Sequence, residues 1–391
     1  MTYPLSGITV LELGQVYGAP YCSHLLGQLG ARVIKIETPG RGDPLRDRGG
    51  RRSGAEPIGF QLLNGGKESV ALDLKSEEGR RSFTALARSA DVIVENFAPG
   101  TAKALGADYA TMREVNPRLV YASLKAYSAD SPNWGQRGMD LTVQASSGVM
   151  SVNGFPDGPP VRCGPSLADF LGGSHLAMGV LAALFERTVT GTGQLVDVSL
   201  QDAVLPTLTS NFAAWLTDPA HAFERTGNRH GGMRESPYNV YPTTDGWIAV
   251  LCINVEPWRS LCTLIGRPDL RDDPTLDTAD GRSDRMLEID DAISAWTSTR
   301  TNAEASAELQ SAGVPGAPLK TVLQVIDDEM HRTEPMLRRT EDTDGRVSYT
   351  YGSPIRLSDH PPMPAGRIPA LDEHDVEVAL DDEDEEVSGG C

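Results

Sequence analysis

Residues 8–37 read ITVLELGQVYGAPYCSHLLGQLGARVIKIE. ITVLEL (8–13) is the apolar, β-branched run of a strand, and RVIKIE (32–37) is another. Between them, segment 18–30 reads as a helix. Pro20 is tolerated in its first turn, where the missing N–H has no intrahelical partner. Strand, helix and strand in so short a span make a right-handed crossover between parallel strands.

The alternation continues downstream. SVALDL (69–74) precedes a charged helical stretch at 76–88, DVIVEN (91–96) precedes a short helix at 101–106, and RLVYASL (118–124) is a further strand. Residues 1–226 are therefore read as a large α/β domain, Rossmann-like with a mostly parallel sheet. Within it, 41–66 is rich in Gly, Arg and Pro and reads as a long loop, a length that usually signals function. FLGGSHLAMGVLAALFER (170–187) is apolar nearly all round, which predicts a buried helix ending at Gly191. GQLVDVSL (193–200) returns to strand. From 227 to 325 the pattern changes to a turn at Asp245 and Gly246, a strand, and helices near 256–265, 283–297 and 302–311. This predicts a smaller α+β domain. Residues 326–391 return to strand-like pieces (RVSYTY, SPIRL) that rejoin the large domain, and they end in an acidic tail, DDEDEEVSGGC.

Composition narrows the function classes. The 391 residues are 39% hydrophobic, enough for a sizeable core. No run approaches the ~18 consecutive apolar residues of a membrane span. The first residues, MTYPLSGITVLEL, lack a basic segment and a cleavage site, so they read as the start of the fold. The five cysteines (22, 163, 252, 262, 391) are scattered and match no metal spacing, which predicts reduced thiols in a cytoplasm and no metal site. A net charge of −19 argues against nucleic acid or anionic membrane as partner. Six lysines against 29 arginines, with the acidic excess, fit a halophilic cytoplasm or a GC-rich genome.

The chemistry-bearing candidates are few. The turn after the first strand, ELGQVYGAP, lacks GxGxxG, so a nicotinamide or flavin dinucleotide is not expected. No motif pairs a Ser or Cys with a His. Asp169, in RCGPSLADFLGG, stands just before the apolar helix. An N-cap aspartate is the common reason for an acid there. The same place suits a nucleophile: the helix N-terminus favours the ionised form, and apolar surroundings leave it poorly solvated. Gly172 and Gly173 follow, where backbone N–H groups could approach an acyl oxygen.

Nearly the whole chain resembles the class III (CaiB/BaiF-type) CoA-transferase family, which includes formyl-CoA and dicarboxylate (succinyl-CoA:mesaconate-type) transferases. The likeness runs through PLSGITVLELGQVYGAPYCSHLLGQLGARVIKIETPGRGDPLR, NGGKESVALDLKSEEGR, DVIVENFAPGTAKALG, NPRLVYASLKAYS, DGPP and ADFLGGSHLAMGVLAALFERTVTGTGQLVDVSLQDAV. The order and spacing of these stretches carry it. The resemblance implies an interlocked homodimer that binds acyl-CoA and carboxylic acids, with no permanently bound cofactor. It implies Asp169 as the catalytic carboxylate, forming a mixed anhydride and then an aspartyl-CoA thioester. It also implies a CoA site that includes Val16, Arg41, Lys67, Leu72, Asn96, Phe97, Lys125 and Tyr127. Gln15 and Tyr17 would face the substrate. The loop GNRHGGMRESPYNVY (227–241) matches a glycine-rich lid. Gly231 and Gly232 would let it move, and Arg229, His230 and Arg234 could meet a second substrate carboxylate.

Two departures matter. Tyr17 replaces a glutamine of the formyl-CoA branch, which puts the formyl/oxalate pair in doubt. GMD (138–140) replaces the GHD of 2-methylacyl-CoA racemases, and a methionine cannot transfer protons. Arginines 46, 48, 51, 52, 229 and 234, with Tyr17, suggest short dicarboxylates: succinyl-CoA as donor and a mesaconate-like acceptor. The rival readings are intramolecular C1–C4 transfer on mesaconyl-CoA, formyl-CoA:oxalate-type transfer, a racemase, and a non-catalytic CoA-binding protein.

Overall fold

A computed structural model describes residues 2–48, 56–222, 224–341 and 346–376. Arg51, Arg52 and the acidic tail from 377 onward lie outside them. The chain divides into two units. One comprises Met1–Ser147, Pro165–Val204 and Ile326–Cys391, the other Gly148–Gly164 and Leu205–Val325. The second unit thus starts earlier than 227 and also takes in 148–164.

The main sheet of the first unit has six strands: β1 (Thr9–Glu12), β2 (Arg32–Glu37), β3 (Glu68–Ala71), β4 (Val92–Glu95), β5 (Val120–Lys125) and β6 (Leu195–Ser199). All pair in parallel, in the order β3-β2-β1-β4-β5-β6. Strands β1 and β4 are buried at every position, as expected where helices cover both faces. Leu11, Ile34, Val70, Ile93 and Tyr121 pack with Phe83 and Leu86 of the helix Glu77–Ser89. Ser76 starts that helix by accepting the Gly79 N–H at 2.9 Å. The order changes direction at β1, which lies between β2 and β4. Such a switch point opens a crevice at the carboxyl ends of the strands.

The long helix Leu167–Thr190 packs on β5, β6 and the helix Gly18–Gln28. By length and apolar composition alone it could cross a membrane, which the residue-by-residue reading missed; here nearly half of its apolar stretch is buried in the unit. It is not buried all round, since Met178, Phe185 and Val189 are exposed. Gly191 closes it in a left-handed conformation (φ 74°).

In the second unit, β7 (Tyr238–Pro242), β8 (Trp247–Leu251) and β9 (Gly316–Pro318) form an antiparallel sheet over a core of Trp258, Leu261, Ile289 and Ile293. Back in the first unit, β10 (Leu337–Glu341) pairs antiparallel with β11 (Val347–Tyr351). SPIRL is not a strand; it contributes only a bridge between Leu357 and His360. Nor is 41–66 wholly loop, because a turn of 3-10 helix at Pro44–Arg46 and a helix at Ile58–Asn64 occupy part of it.

Candidate active site

At the switch point lies a cavity of about 490 Å³. Its walls are residues 15–17 after β1, 96–99 after β4, 124–127 at the end of β5, and the loop 134–139; Asp169 also lines it. A second cavity, about 310 Å³, follows the ends of β1, β2 and β3 through 13–15, 35–38, 41–44 and 72–75. Gln15 and Phe97 border both.

Asp169 sits within the first turn of the long helix and does not cap it. Ser166, at the cap position, makes no side-chain cap bond. The cap comes from elsewhere: buried Asp140 accepts the Ala168 N–H at 2.8 Å, and its other oxygen accepts Gln144 Nε2–H at 2.7 Å. The Asp169 carboxyl is thus left to the cavity. Burial, reinforced by the Asp140 charge, pushes it up to about 7. The helix N-terminus opposes this, but its ~0.3–1 kcal/mol is less than one pH unit. Of the two influences expected from the sequence, the helix end and poor solvation, desolvation is the larger. A carboxylate with this ionisation range is ready near neutral pH.

This gives a pH prediction. Attack on a thioester needs the carboxylate, so the rate of acyl-enzyme formation should rise with pH through about 7 and level above it. The check is rapid-quench rates across the neutral range; a flat rate down to ordinary carboxylate pKa values would contradict it. Stability should move the other way. The native state holds this proton more tightly than the unfolded one, so ionisation lowers stability as pH rises from the ordinary value toward about 7.

Gly172 and Gly173 have a different role from the one expected. They lie inside the helix, where their N–H groups bond to carbonyls four residues back. They allow close packing instead: a Cβ on Gly173 would sit 2.5 Å from Gly18 O, and one on Gly172 2.5 Å from Leu200 Cδ2. A Cβ on Gly18 would sit 3.6 Å from Asp169 Oδ1, so the backbone at 18 passes the carboxylate. Tyr17 stacks on Phe170 at 6.0 Å, and Tyr21 meets the same ring edge-on at 4.8 Å. Of these rings, Tyr17 lines the cavity with Asp169, and Phe170 packs on it.

The other candidates divide. Val16, Asn96, Phe97, Lys125 and Tyr127 line the Asp169 cavity, while Arg41 and Leu72 line the second. The Asn96 amide is engaged with Gln15, accepting its N–H at 2.9 Å and donating to its carbonyl at 2.8 Å. Lys125 donates to both Glu95 oxygens (2.6 and 2.7 Å) and to Phe97 O (2.9 Å), which fixes the Phe97 backbone. Lys67 does not join them. Its ammonium is buried and donates to Glu12, Pro20 O and Asn64, so it is an internal cation and no phosphate contact. Arg46 is likewise internal, paired with Glu37 and Glu56 and lying over the Phe60 ring. Arg48 is exposed. Sequence reading missed Arg137, which is exposed, lines the Asp169 cavity and pairs with no carboxylate among the described residues. Its position beside GMD was the available signal.

In the second unit, the loop 227–241 is tied down. Arg229 pairs with Asp290 at 2.7 Å, leaving it no free cation for a substrate. Asp290 also accepts from Asn239 and Tyr241. Gly231 passes close to the Asn211 side chain, whose Nδ2 would lie 2.8 Å from a Cβ there. Gly232 approaches the His230 ring and donates its N–H to Nδ1. Arg234 is exposed and only loosely paired with Asp280. His230 Nε2 lies 3.1 Å from Ser210 Oγ, a Ser–His contact that no sequence motif announced. Because Gly232 donates to Nδ1, neutral His230 carries its proton on Nε2 and donates to the serine. That tautomer cannot deprotonate the hydroxyl.

Residues 5–375 match the family model described as CoA-transferase family III. The chain is 35% identical to the succinyl-CoA:mesaconate CoA-transferase of Haloarcula hispanica, covering 96% of this chain and 95% of that one. It is 36% identical to the acetyl-CoA:oxalate CoA-transferase of Acetobacter aceti, covering 95% and 93%. A crystal structure of a CAIB/BAIF family protein from Brucella suis matches with a TM-score of 0.83 and 31% identity over 96% of this chain and 98% of that one.

Proposed function

Because the chain belongs to CoA-transferase family III, we propose that it moves coenzyme A from succinyl-CoA to a short dicarboxylic acid such as mesaconate, with Asp169 as the covalent carrier. The observation that supports this best is a desolvated carboxylate in a cavity at the switch point of a parallel sheet. The Asp169 carboxylate attacks the thioester carbonyl, the C–S bond breaks, and an aspartyl–acyl anhydride and CoA thiolate form. The thiolate then attacks the aspartyl carbonyl and releases the donor acid, leaving an aspartyl-CoA thioester. The acceptor carboxylate attacks that thioester to give a second anhydride and CoA thiolate. Thiolate attack on the acceptor carbonyl yields the new acyl-CoA and restores Asp169. The Tyr17 ring, packed on Phe170, would help keep water from the anhydride.

The 310 Å³ cavity with Arg41 suits the nucleotide end of the thioester, and Phe97 at the junction suits the pantetheine arm. For the acid, Arg137 is the cation in the Asp169 cavity suited to a second carboxylate. The relatives' names, with mesaconate and oxalate as acids, support a dicarboxylate. Met139 in the same cavity favours transfer over α-proton exchange. The exposed Met178, Phe185 and Val189 stripe supports a homodimer, which sedimentation would check.

A panel of acyl-CoA donors and acids tests the substrate proposal. Turnover with succinyl-CoA and short dicarboxylates is expected. Turnover only with monocarboxylates would overturn it, and isomerisation of mesaconyl-CoA without added acid would replace it with intramolecular transfer.

A further inference from the structure

Three consecutive residues of the loop after β1 are each held by a side chain from another segment. Lys35 Nζ donates to Gly14 O at 2.9 Å. Asn96 holds both backbone groups of Gln15. Both carboxylate oxygens of Asp43 accept the Val16 N–H, at 3.3 and 3.2 Å. Val16 is the residue that needs holding. Its φ is 67°, a left-handed conformation that a β-branched side chain disfavours. Such a residue persists only where its surroundings over-determine it.

Asp43 is itself rigidly placed. It is 2% exposed and pairs with Lys35 at 2.9 Å. It accepts the Leu45 N–H at 2.8 Å, and its own N–H donates to Glu37 Oε1 at 2.8 Å. It also stands in the wall of the second cavity with Arg41, whereas Val16 and Tyr17 stand in the wall of the Asp169 cavity. One carboxylate therefore touches the wall of one cavity and the strained residue of the other.

We propose that Asp43 is a positioning residue that couples the two cavities, so that filling the second with the nucleotide end of a CoA thioester seats the 41–44 wall, fixes Val16, and aims Tyr17 beside Asp169. The inference rests on the CoA-transferase reading above. It turns binding energy from a remote, non-reacting part of the substrate into order at the reacting end. A donor cut short of its nucleotide should then lose kcat as well as affinity.

The test uses the purified full-length protein and two donors, succinyl-CoA and succinyl-pantetheine. Wild type should show lower kcat on the truncated donor. Asp43→Ala should lose roughly 10- to 100-fold in kcat with succinyl-CoA, the range for a buried charged hydrogen bond, and a clearly smaller factor on succinyl-pantetheine, so that the gap between the two donors narrows. Asp43→Asn keeps the shape with a weaker acceptor and should fall between; it carries the same comparison should the alanine variant be unfolded by circular dichroism. Wild-type kcat of the variants with succinyl-CoA, or an equal loss on both donors, would overturn the coupling. Wild type inactive with both donors would overturn the transferase reading itself, and the coupling with it.

Discussion

Replacing Asp169 by alanine should lower CoA transfer by at least ~10⁴-fold, the scale on which removal of a covalent nucleophile is felt. The loss should fall on kcat, with substrate binding largely retained, because the cavity walls at 15–17, 96–99 and 124–127 do not depend on this carboxyl. Asp169→Asn should be equally inactive: it keeps the shape but cannot form the anhydride. Neither change should unfold the protein. A carboxyl held up to about 7 is one the fold pays to ionise, so at pH 8 the alanine variant should be at least as stable as wild type. Steady-state rates paired with urea unfolding check both halves. An alanine variant with rates within tenfold of wild type would remove Asp169 from the chemistry.

The largest effect on stability is expected beneath the site. Glu12 is fully buried at the end of β1 between two ammonium groups, 2.5 Å from Lys35 Nζ and 2.6 Å from Lys67 Nζ, and Ser23 also donates to it. Lys35 continues to Asp43. The two carboxylates and two ammoniums balance, so each is tolerable only with the others present. Glu12→Gln leaves both lysines short of charge in a dry interior. It should lower the free energy of unfolding by about 3–5 kcal/mol, read from urea titrations. A change under about 1 kcal/mol, the value of an exposed pair, would show that the cluster is not coupled as drawn. The pH dependence has a definite sign. Glu12 is lowered to about 2 by Lys35 and Lys67 against the opposing effect of burial. Its stabilisation is complete above the ordinary carboxylate value and is lost as pH falls toward about 2. In the variant that acid-side loss should shrink.

Much of the parallel sheet was legible because its signals are local. RVIKIE is β2 residue for residue, and Gly191 ends the long helix in the left-handed conformation that glycine favours. The charged helix read at 76–88 runs from Glu77 to Ser89, one residue later, with Ser76 as its cap. Asp169 could be singled out by its place before an apolar helix, but what that place does to it could not. The carboxylate that caps the helix is Asp140, 28 residues earlier than the N–H it accepts. With the cap supplied from outside, Asp169 is free and desolvated.

Lys67 and Arg46 were misread for a related reason. Their neighbours in sequence resemble surface loops, while each has a carboxylate partner on a strand, Glu12 on β1 for Lys67 and Glu37 on β2 for Arg46; Lys67 meets Glu12 across 55 residues. Gly172 and Gly173 looked like an opening for a substrate oxygen. Only the crossing of two helices shows that the space is already filled by Gly18 O and Leu200. Pairing across a fold, and the closeness of two helices, leave no periodic mark in either segment.

In the mechanism proposed above, Asp169 carries first the acyl group and then CoA. Intact-protein mass spectrometry after brief incubation with succinyl-CoA tests it most directly, with hydroxylamine trapping to convert the activated carboxyl to a hydroxamate. A CoA-sized adduct is expected on wild type and a hydroxamate on the peptide containing Asp169, both missing from Asp169→Ala. Transfer of CoA to an acid with no adduct and no hydroxamate at Asp169, or an adduct that persists in the alanine variant, would contradict it.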